Sequence, residues 1–352
     1  MNAPSGAIHN QANLNAETFS SSQPVHSTEF SFGADWVRFF AVPGDPDPGA
    51  GQLALEHLSR EAVRRSSAFF DYQTPRDFHL ERGEHLENGA LTFSSAADSP
   101  IAPNQSVRCF WYPAQGSNRR AVVILPHWGA PSNAYRSLCR VIRGTGISVL
   151  ELTLPYHGSR CPKGSANGEH TISANIGRTI HAARQSVIDT RCCLDWLQNQ
   201  GYERLGMVGT SLGSGFGFLA SAHDERLRVN VYNHAGSAIS DIVWHAPQAR
   251  QIRDKMEESR IDLKSLNRLW MCIDPRSYFS KFGAMNKTAM IVYGLFDPVF
   301  RVGVSLDTIR GLRAHGCRCR AVAMPCGHAS LGWPPFSYID AGLICAFLRR
   351  NL

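Results

Sequence analysis

Three short segments of this sequence carry side chains whose combined chemistry is nucleophilic. In Gly209-Thr-Ser-Leu-Gly213 a serine sits between two glycines, directly after the apolar pair Met207-Val208 and before a helix-like run at 215–222. A serine on so sharp a strand-to-helix turn holds its hydroxyl clear of the sheet, and a side chain at either glycine would clash in the bend. The helix that follows offers unpaired N–H groups and a positive dipole end to a developing oxyanion. The pentapeptide alone is common by chance; its placement gives it weight. A dinucleotide-loop reading fails, because the spacing G-x-G-x-x-G breaks at Phe218.

A serine hydroxyl attacks only when a base takes its proton, and the base needs a carboxylate to fix its tautomer. Asp297 follows the apolar run 289–293 in Gly294-Leu-Phe-Asp297-Pro, and His328 follows the run 320–324 in Pro325-Cys-Gly-His328. Each stands at the carboxyl end of an expected strand, so a parallel sheet brings them to the serine's edge. Ser211, Asp297 and His328 are therefore the candidate nucleophile, orienting acid and base. Taken singly, Asp297 also suits a turn before proline, and His328 an ordinary loop histidine.

A second oxyanion donor belongs in the loop after the first core strand, Leu125-Pro-His127-Trp-Gly-Ala-Pro131. The backbone N–H groups of Trp128 and Leu212 are the candidates, with Gly129 the alternative if the loop registers one residue later. His127 organises this loop rather than carrying protons. Further pocket candidates are His127, Tyr156, His157, Arg160, Asn175, His234 and Trp244, which fall in loops after strands or in a long insertion. Arg160 matters most for a substrate bearing a carboxylate or phosphate. A lone histidine or arginine in such a loop is more often a structural hydrogen-bonder.

The elements that must position these groups alternate regularly from residue 121 onward. Strands are expected at 121–125, 147–154, 205–209, 229–232, 289–293 and 318–324, and helices at 135–143, 176–198, 215–222 and 343–348. That alternation implies right-handed crossovers and a mostly parallel, doubly wound sheet with helices on both faces. Residues 236–285 exceed a single crossover helix, and their helical spacing suggests an inserted cap over the carboxyl edge. Upstream, 1–28 reads as a disordered tail, the Pro/Gly/Asp stretch 42–51 as a loop, and 53–70 as a helix. Short strands at 91–94 and 107–112 follow, so 29–105 forms an N-terminal extension before a catalytic domain at 106–352.

At 352 residues the chain suits one large α/β domain with additions, and its 43% hydrophobic and 18% charged content is that of a folded protein. No apolar run approaches the roughly 20 residues of a membrane span. There is no secretory or mitochondrial leader pattern, so a cytoplasmic location and reduced thiols are expected for the ten cysteines. The cysteines and histidines lack metal-ligand spacing, and no metal or organic cofactor is expected. The net charge of +7 comes mainly from scattered arginines. Without clustering or an aromatic/basic stripe, it does not indicate a nucleic-acid partner.

On His127-Trp-Gly129, Gly209-Thr-Ser-Leu-Gly213, Gly294-Leu-Phe-Asp297 and Gly327-His328 the sequence resembles the α/β-hydrolase superfamily over roughly residues 106–352. Leu154-Pro-Tyr-His-Gly158 and Ser173-Ala-Asn-Ile-Gly177 are similar to a bacterial branch related to α/β-hydrolase domain-containing protein eighteen. The resemblance implies hydrolysis of a small-molecule or lipid-like carboxylic ester through an acyl-serine intermediate. Trp128 stands where many members have glycine. Apolar residues of the insertion (Trp244, Met256, Leu263, Leu266, Trp270 and Met271) are expected to favour a medium-sized hydrophobic group. Peptidase or amidase action, acyl transfer to another acceptor, and a non-catalytic binding role on the same scaffold stay open, as does the oligomeric state.

Overall fold

The computed structural model describes residues 29–41, 44–82, 89–116 and 119–352. The expected tail, 1–28, lies outside them, as do Val42 and Pro43 of the expected loop. The single helix expected over 53–70 is instead two, α1 (Gln52–Arg64) and α2 (Ser66–Phe69), separated where Arg65 leaves helical geometry. Three strands follow, β1 (His79–Arg82), β2 (Gly89–Ser94) and β3 (Ser106–Tyr112). The regular alternation then begins with β4 (Arg120–Leu125), α3 (Arg136–Gly144), β5 (Ser148–Leu152), α4 (Ile176–Asn199), β6 (Arg204–Thr210), α5 (Leu212–Ala222) and β7 (Leu227–Asn233). Helices α6 (Ile239–His245), α7 (Arg250–Glu258), α8 (Leu263–Leu269) and α9 (Phe279–Ala284) lead to β8 (Thr288–Gly294), α10 (Val302–Ala314), β9 (Arg318–Met324) and α11 (Phe336–Asn351).

The nine strands form one sheet in the order β1-β2-β3-β5-β4-β6-β7-β8-β9. The pairs β1/β2, β2/β3 and β3/β5 are antiparallel, and every pair from β5 to β9 is parallel. Successive residues of β4 serve opposite faces. Ala121, Val123 and Leu125 join the larger core with α4, α5 and α10, whereas Val122 and Ile124 join the smaller core with α3 and α11. A strand buried on both faces reads as a continuous apolar run for this reason.

The N-terminal extension belongs to the same body. Its strands β1 and β2 lengthen the sheet, and Leu55, Leu58 and Ala62 of α1 lie in the larger core. The insertion at 236–285 is helical, and its parts go to different places. α6 stays beside the carboxyl edge, where Asp241 pairs with Arg301 at 2.8 Å. α8 is tied to α1 by Arg268 and Glu56 at 2.8 Å, and Phe282 of α9 stacks on Phe218 of α5 at 4.7 Å between ring centres. Met256, Leu266 and Trp270 are fully buried in the main core. The expectation that they line an apolar pocket is corrected: their helical spacing reflects packing between helices.

Candidate active site

Parallel pairing places the carboxyl ends of β4, β6, β7, β8 and β9 on one edge, and each is followed within four residues by a site candidate. His127 follows Leu125, Ser211 follows Thr210, His234 follows Asn233, Asp297 follows Gly294 and His328 follows Met324. The turn at Ser211 has φ 54° and ψ −117°, a conformation costly for a side-chain-bearing residue. It is held by the Ser211 N–H donating to the Asn233 carbonyl at 2.9 Å. Both flanking glycines are sterically required. A Cβ on Gly209 would meet the Gly213 carbonyl at 2.4 Å, and one on Gly213 would meet the Leu125 carbonyl at 2.2 Å.

The structure brings Ser211, His328 and Asp297 into a hydrogen-bonded line. Ser211 Oγ lies 3.2 Å from His328 Nε2, and His328 Nδ1 lies 2.9 Å from Asp297 Oδ2. With Nδ1–H donating to the carboxylate, Nε2 is left as the acceptor facing the serine. Asp297 Oδ1 accepts from the backbone N–H of both Val299 and Phe300 at 2.8 Å, so the loop itself clamps the acid. Phe300 stacks on the His328 ring at 5.5 Å with the planes 1° apart. Burial opposes ionisation of Asp297, yet its contacts with His234 and His328 hold the carboxyl far below the usual carboxylate range. The nucleophile is recessed, at 7% exposure, while His328 remains partly open.

His234 is not a surface ligand for substrate. It is 2% exposed, with Nδ1 2.6 Å from Asp297 Oδ2 and its ring 4.6 Å from that of His328. The contact is close but lacks the alignment of a linear hydrogen bond. His234, Asp297 and His328 thus present three donor atoms within 4.8 Å of one another, the kind of set that a metal ion seeks. Here both carboxylate oxygens are already engaged, which fits a hydrogen-bonded relay and not an open ligand set.

The expected oxyanion loop is held by the segment after β5. The Gly129 N–H donates to His157 Nε2 at 2.9 Å. Asn167 Nδ2 donates to the carbonyls of Gly129 and Ala130 at 2.6 and 2.9 Å, and the Trp128 indole donates to the Gly168 carbonyl at 2.8 Å. Gly129 is therefore spent and is not the alternative donor. Among the described residues, no protein acceptor takes the main-chain N–H of Trp128 or of Leu212, the first residue of α5.

The remaining candidates go elsewhere. Arg160 is 1% exposed, paired with Asp189 at 2.8 Å and donating to the carbonyls of Thr153 and Asn104. Its expected role toward an anionic substrate is corrected, because its charge is already matched inside the protein. His157 is also corrected from substrate ligand to loop support. It is buried, Nδ1 donates to the Pro155 carbonyl at 2.8 Å, and burial pushes the imidazole down to about 4, so Nε2 stays an acceptor. Asn175 caps α4, accepting from the Arg178 N–H at 2.8 Å. Tyr156 is buried, with its N–H donating to Asn104 Oδ1 and its ring edge-on to His170. Trp244 is half-buried on α6 against the main core. His127 Nδ1 meets the Tyr135 hydroxyl at 2.9 Å, and burial pushes it down to about 3. Asn167 and Asn104 do work that the sequence reading missed; an asparagine in a turn-rich loop gave no distinguishing signal.

No family model matches the sequence, and no curated protein matches it. Among solved structures, acetyl xylan esterase 1 from Thermoanaerobacterium is similar over 83% of this chain and 93% of that one, with 15% identity and a TM-score of 0.63. An esterase from an Arctic intertidal metagenomic library is similar over 80% of this chain and 99% of that one, at 16% identity and a TM-score of 0.52. The acylaminoacyl peptidase of Pyrococcus horikoshii is similar over 82% of this chain but 43% of its own, at 15% identity and a TM-score of 0.56. The chain has the α/β-hydrolase fold. The comparisons do not bear on the narrower bacterial branch suggested by Leu154-Pro-Tyr-His-Gly158.

Proposed function

We propose that the protein is a serine hydrolase that cleaves carboxylic esters through an acyl-serine intermediate, with Ser211, His328 and Asp297 as its catalytic triad. The observation that carries this reading is the line from Ser211 Oγ to His328 Nε2 at 3.2 Å and from His328 Nδ1 to Asp297 Oδ2 at 2.9 Å. His328 takes the serine proton as Oγ attacks the acyl carbon. Asp297 keeps Nδ1–H in place and balances the imidazolium, and the N–H groups of Trp128 and Leu212 receive the oxyanion. His328 then protonates the departing alcohol and activates the water that releases the acid. The three neighbours' names support the ester class first, since two are esterases and the peptidase is a much longer chain.

The substrate is a small-molecule or lipid-like ester. Among the described residues no helix is long and apolar enough to cross a membrane. Ten unpaired cysteines support residence in the reducing cytoplasm. Assay of wild type and Ser211→Ala on a chain-length series of nitrophenyl esters tests the function. Turnover in wild type and its loss in the variant are expected; equal rates in the two would refute it.

A further inference from the structure

His234 has no part in the Ser–His–Asp relay, yet it is buried against the acid of that relay. Its Nδ1 lies 2.6 Å from Asp297 Oδ2, the same oxygen that His328 Nδ1 reaches at 2.9 Å. Asp297 Oδ1 accepts from two backbone N–H groups, so both oxygens of the carboxylate are engaged. The backbone of His234 is equally committed. It adopts φ 48°, its N–H donates to the Val292 carbonyl at 2.8 Å, and its carbonyl accepts from Ser214 Oγ at 3.2 Å. The residue directly after β7 thus adopts left-handed backbone, with its ring against the acid.

Resting on the triad assignment above, we propose that His234 is a positioning residue: a second imidazole on Asp297 that orients the carboxylate for His328. It acts through the acid and touches neither the serine nor the substrate. A neutral imidazole is the form that can do this. With Nδ1 2.6 Å from Oδ2, a neutral Nδ1–H turns its positive end toward that oxygen without adding a cation that would compete with the His328 imidazolium for the same carboxylate. The titratable groups facing it are Asp297 after β8 and His328 after β9; Ser214 of α5 and Val292 of β8 supply uncharged contacts. Burial lowers the basicity of His234, Asp297 opposes this, and a charged His328 adds to it.

Removing the ring takes away the second contact on the carboxylate, which lowers kcat. The test uses the full-length protein with His234→Phe and His234→Asn, the latter retaining an N–H donor and tolerating the left-handed backbone. In His234→Phe, kcat falls roughly ten- to a hundredfold, short of the roughly 10⁴-fold loss expected when the acid itself is replaced. KM is unchanged, and His234→Asn recovers most of the loss. A folded His234→Phe with wild-type kcat would overturn the proposal. If His234→Phe fails to fold, nitrogen resonances of the wild-type imidazoles decide: a neutral Nδ1–H tautomer at His234 sustains it, and an Nε2–H or charged ring overturns it. A wild type that neither turns over esters nor labels at Ser211 defeats the triad assignment itself, a result distinct from any of these.

Discussion

The N–H of Gly129 donates to His157 Nε2 across 2.9 Å, joining the loop after β4 to the loop after β5. This bond exists only while His157 is neutral at Nε2, and burial holds its imidazole down to about 4. It removes Gly129 from the chemistry and fixes the backbone on which Trp128 N–H is displayed. The orientation of a proposed oxyanion donor thus depends on a histidine that no substrate need touch.

Replacing His157 with leucine strands the Gly129 N–H in a buried site. We expect about 1–3 kcal/mol loss of stability, read from urea midpoints, and a lower kcat from the displaced loop. His157→Gln, which keeps an acceptor, should lose less of both.

Acid sensitivity follows from the same group with a definite sign. The folded imidazole of His157 titrates near about 4 and an ordinary one near 6.5, so the unfolded chain binds more protons between those values. His127, pushed down to about 3, acts in the same direction. Their contribution is full above pH 6.5 and is lost as pH falls toward 4. Urea midpoints measured from pH 8 down to about 4.5 should decline, and His157→Gln should flatten the decline. A flat wild-type profile would contradict this.

Asp340 of α11 works in the opposite sense. Burial pushes its carboxyl up to about 7, and Asn233 Nδ2 donates to its Oδ2 at 2.7 Å. The folded state therefore holds a proton that the unfolded chain releases near 3.8, and stability falls as pH rises from there to about 7. Asp340→Asn should raise stability at pH 8, read from urea midpoints, by about 1–3 kcal/mol and have little effect at pH 4.

Arg160→Met leaves Asp189 as an unmatched charge at 0% side-chain exposure. A loss of about 3–5 kcal/mol is expected in thermal or urea unfolding. Relative kcat/KM for anionic and neutral esters should stay the same. A selective loss on the anionic ester would restore Arg160 to substrate binding.

Much of this was legible in the sequence where one strand end carries one reactive residue. The apolar runs at 121–125 and 289–293 mark strands buried on both faces, and Ser211 and Asp297 follow such runs, whereas His328 follows β9, a largely exposed edge strand. What was hidden depends on partners distant in the chain. Arg160 looked like a loop cation because nothing local reveals Asp189 on α4 beneath it. Trp270 and Leu266 have the spacing of a helix face, and that spacing is the same whether the face meets a ligand or α1. Strand β1, His-Leu-Glu-Arg, lacks an apolar pattern and owes its extended form to pairing with β2. Helix α10 was obscured by Gly303 and Gly311; a Cβ on Gly311 would collide with Phe279 of α9.

The central claim is that Ser211 is a nucleophile activated by His328, and covalent labelling tests it most directly. Wild type, Ser211→Ala and His328→Ala would be treated with a fluorophosphonate and the adduct located by peptide mass spectrometry. One adduct on Ser211 in wild type, none in Ser211→Ala and greatly slowed labelling in His328→Ala is the expected result. A folded wild type that takes no label, or an adduct on another residue that survives Ser211→Ala, would contradict the account.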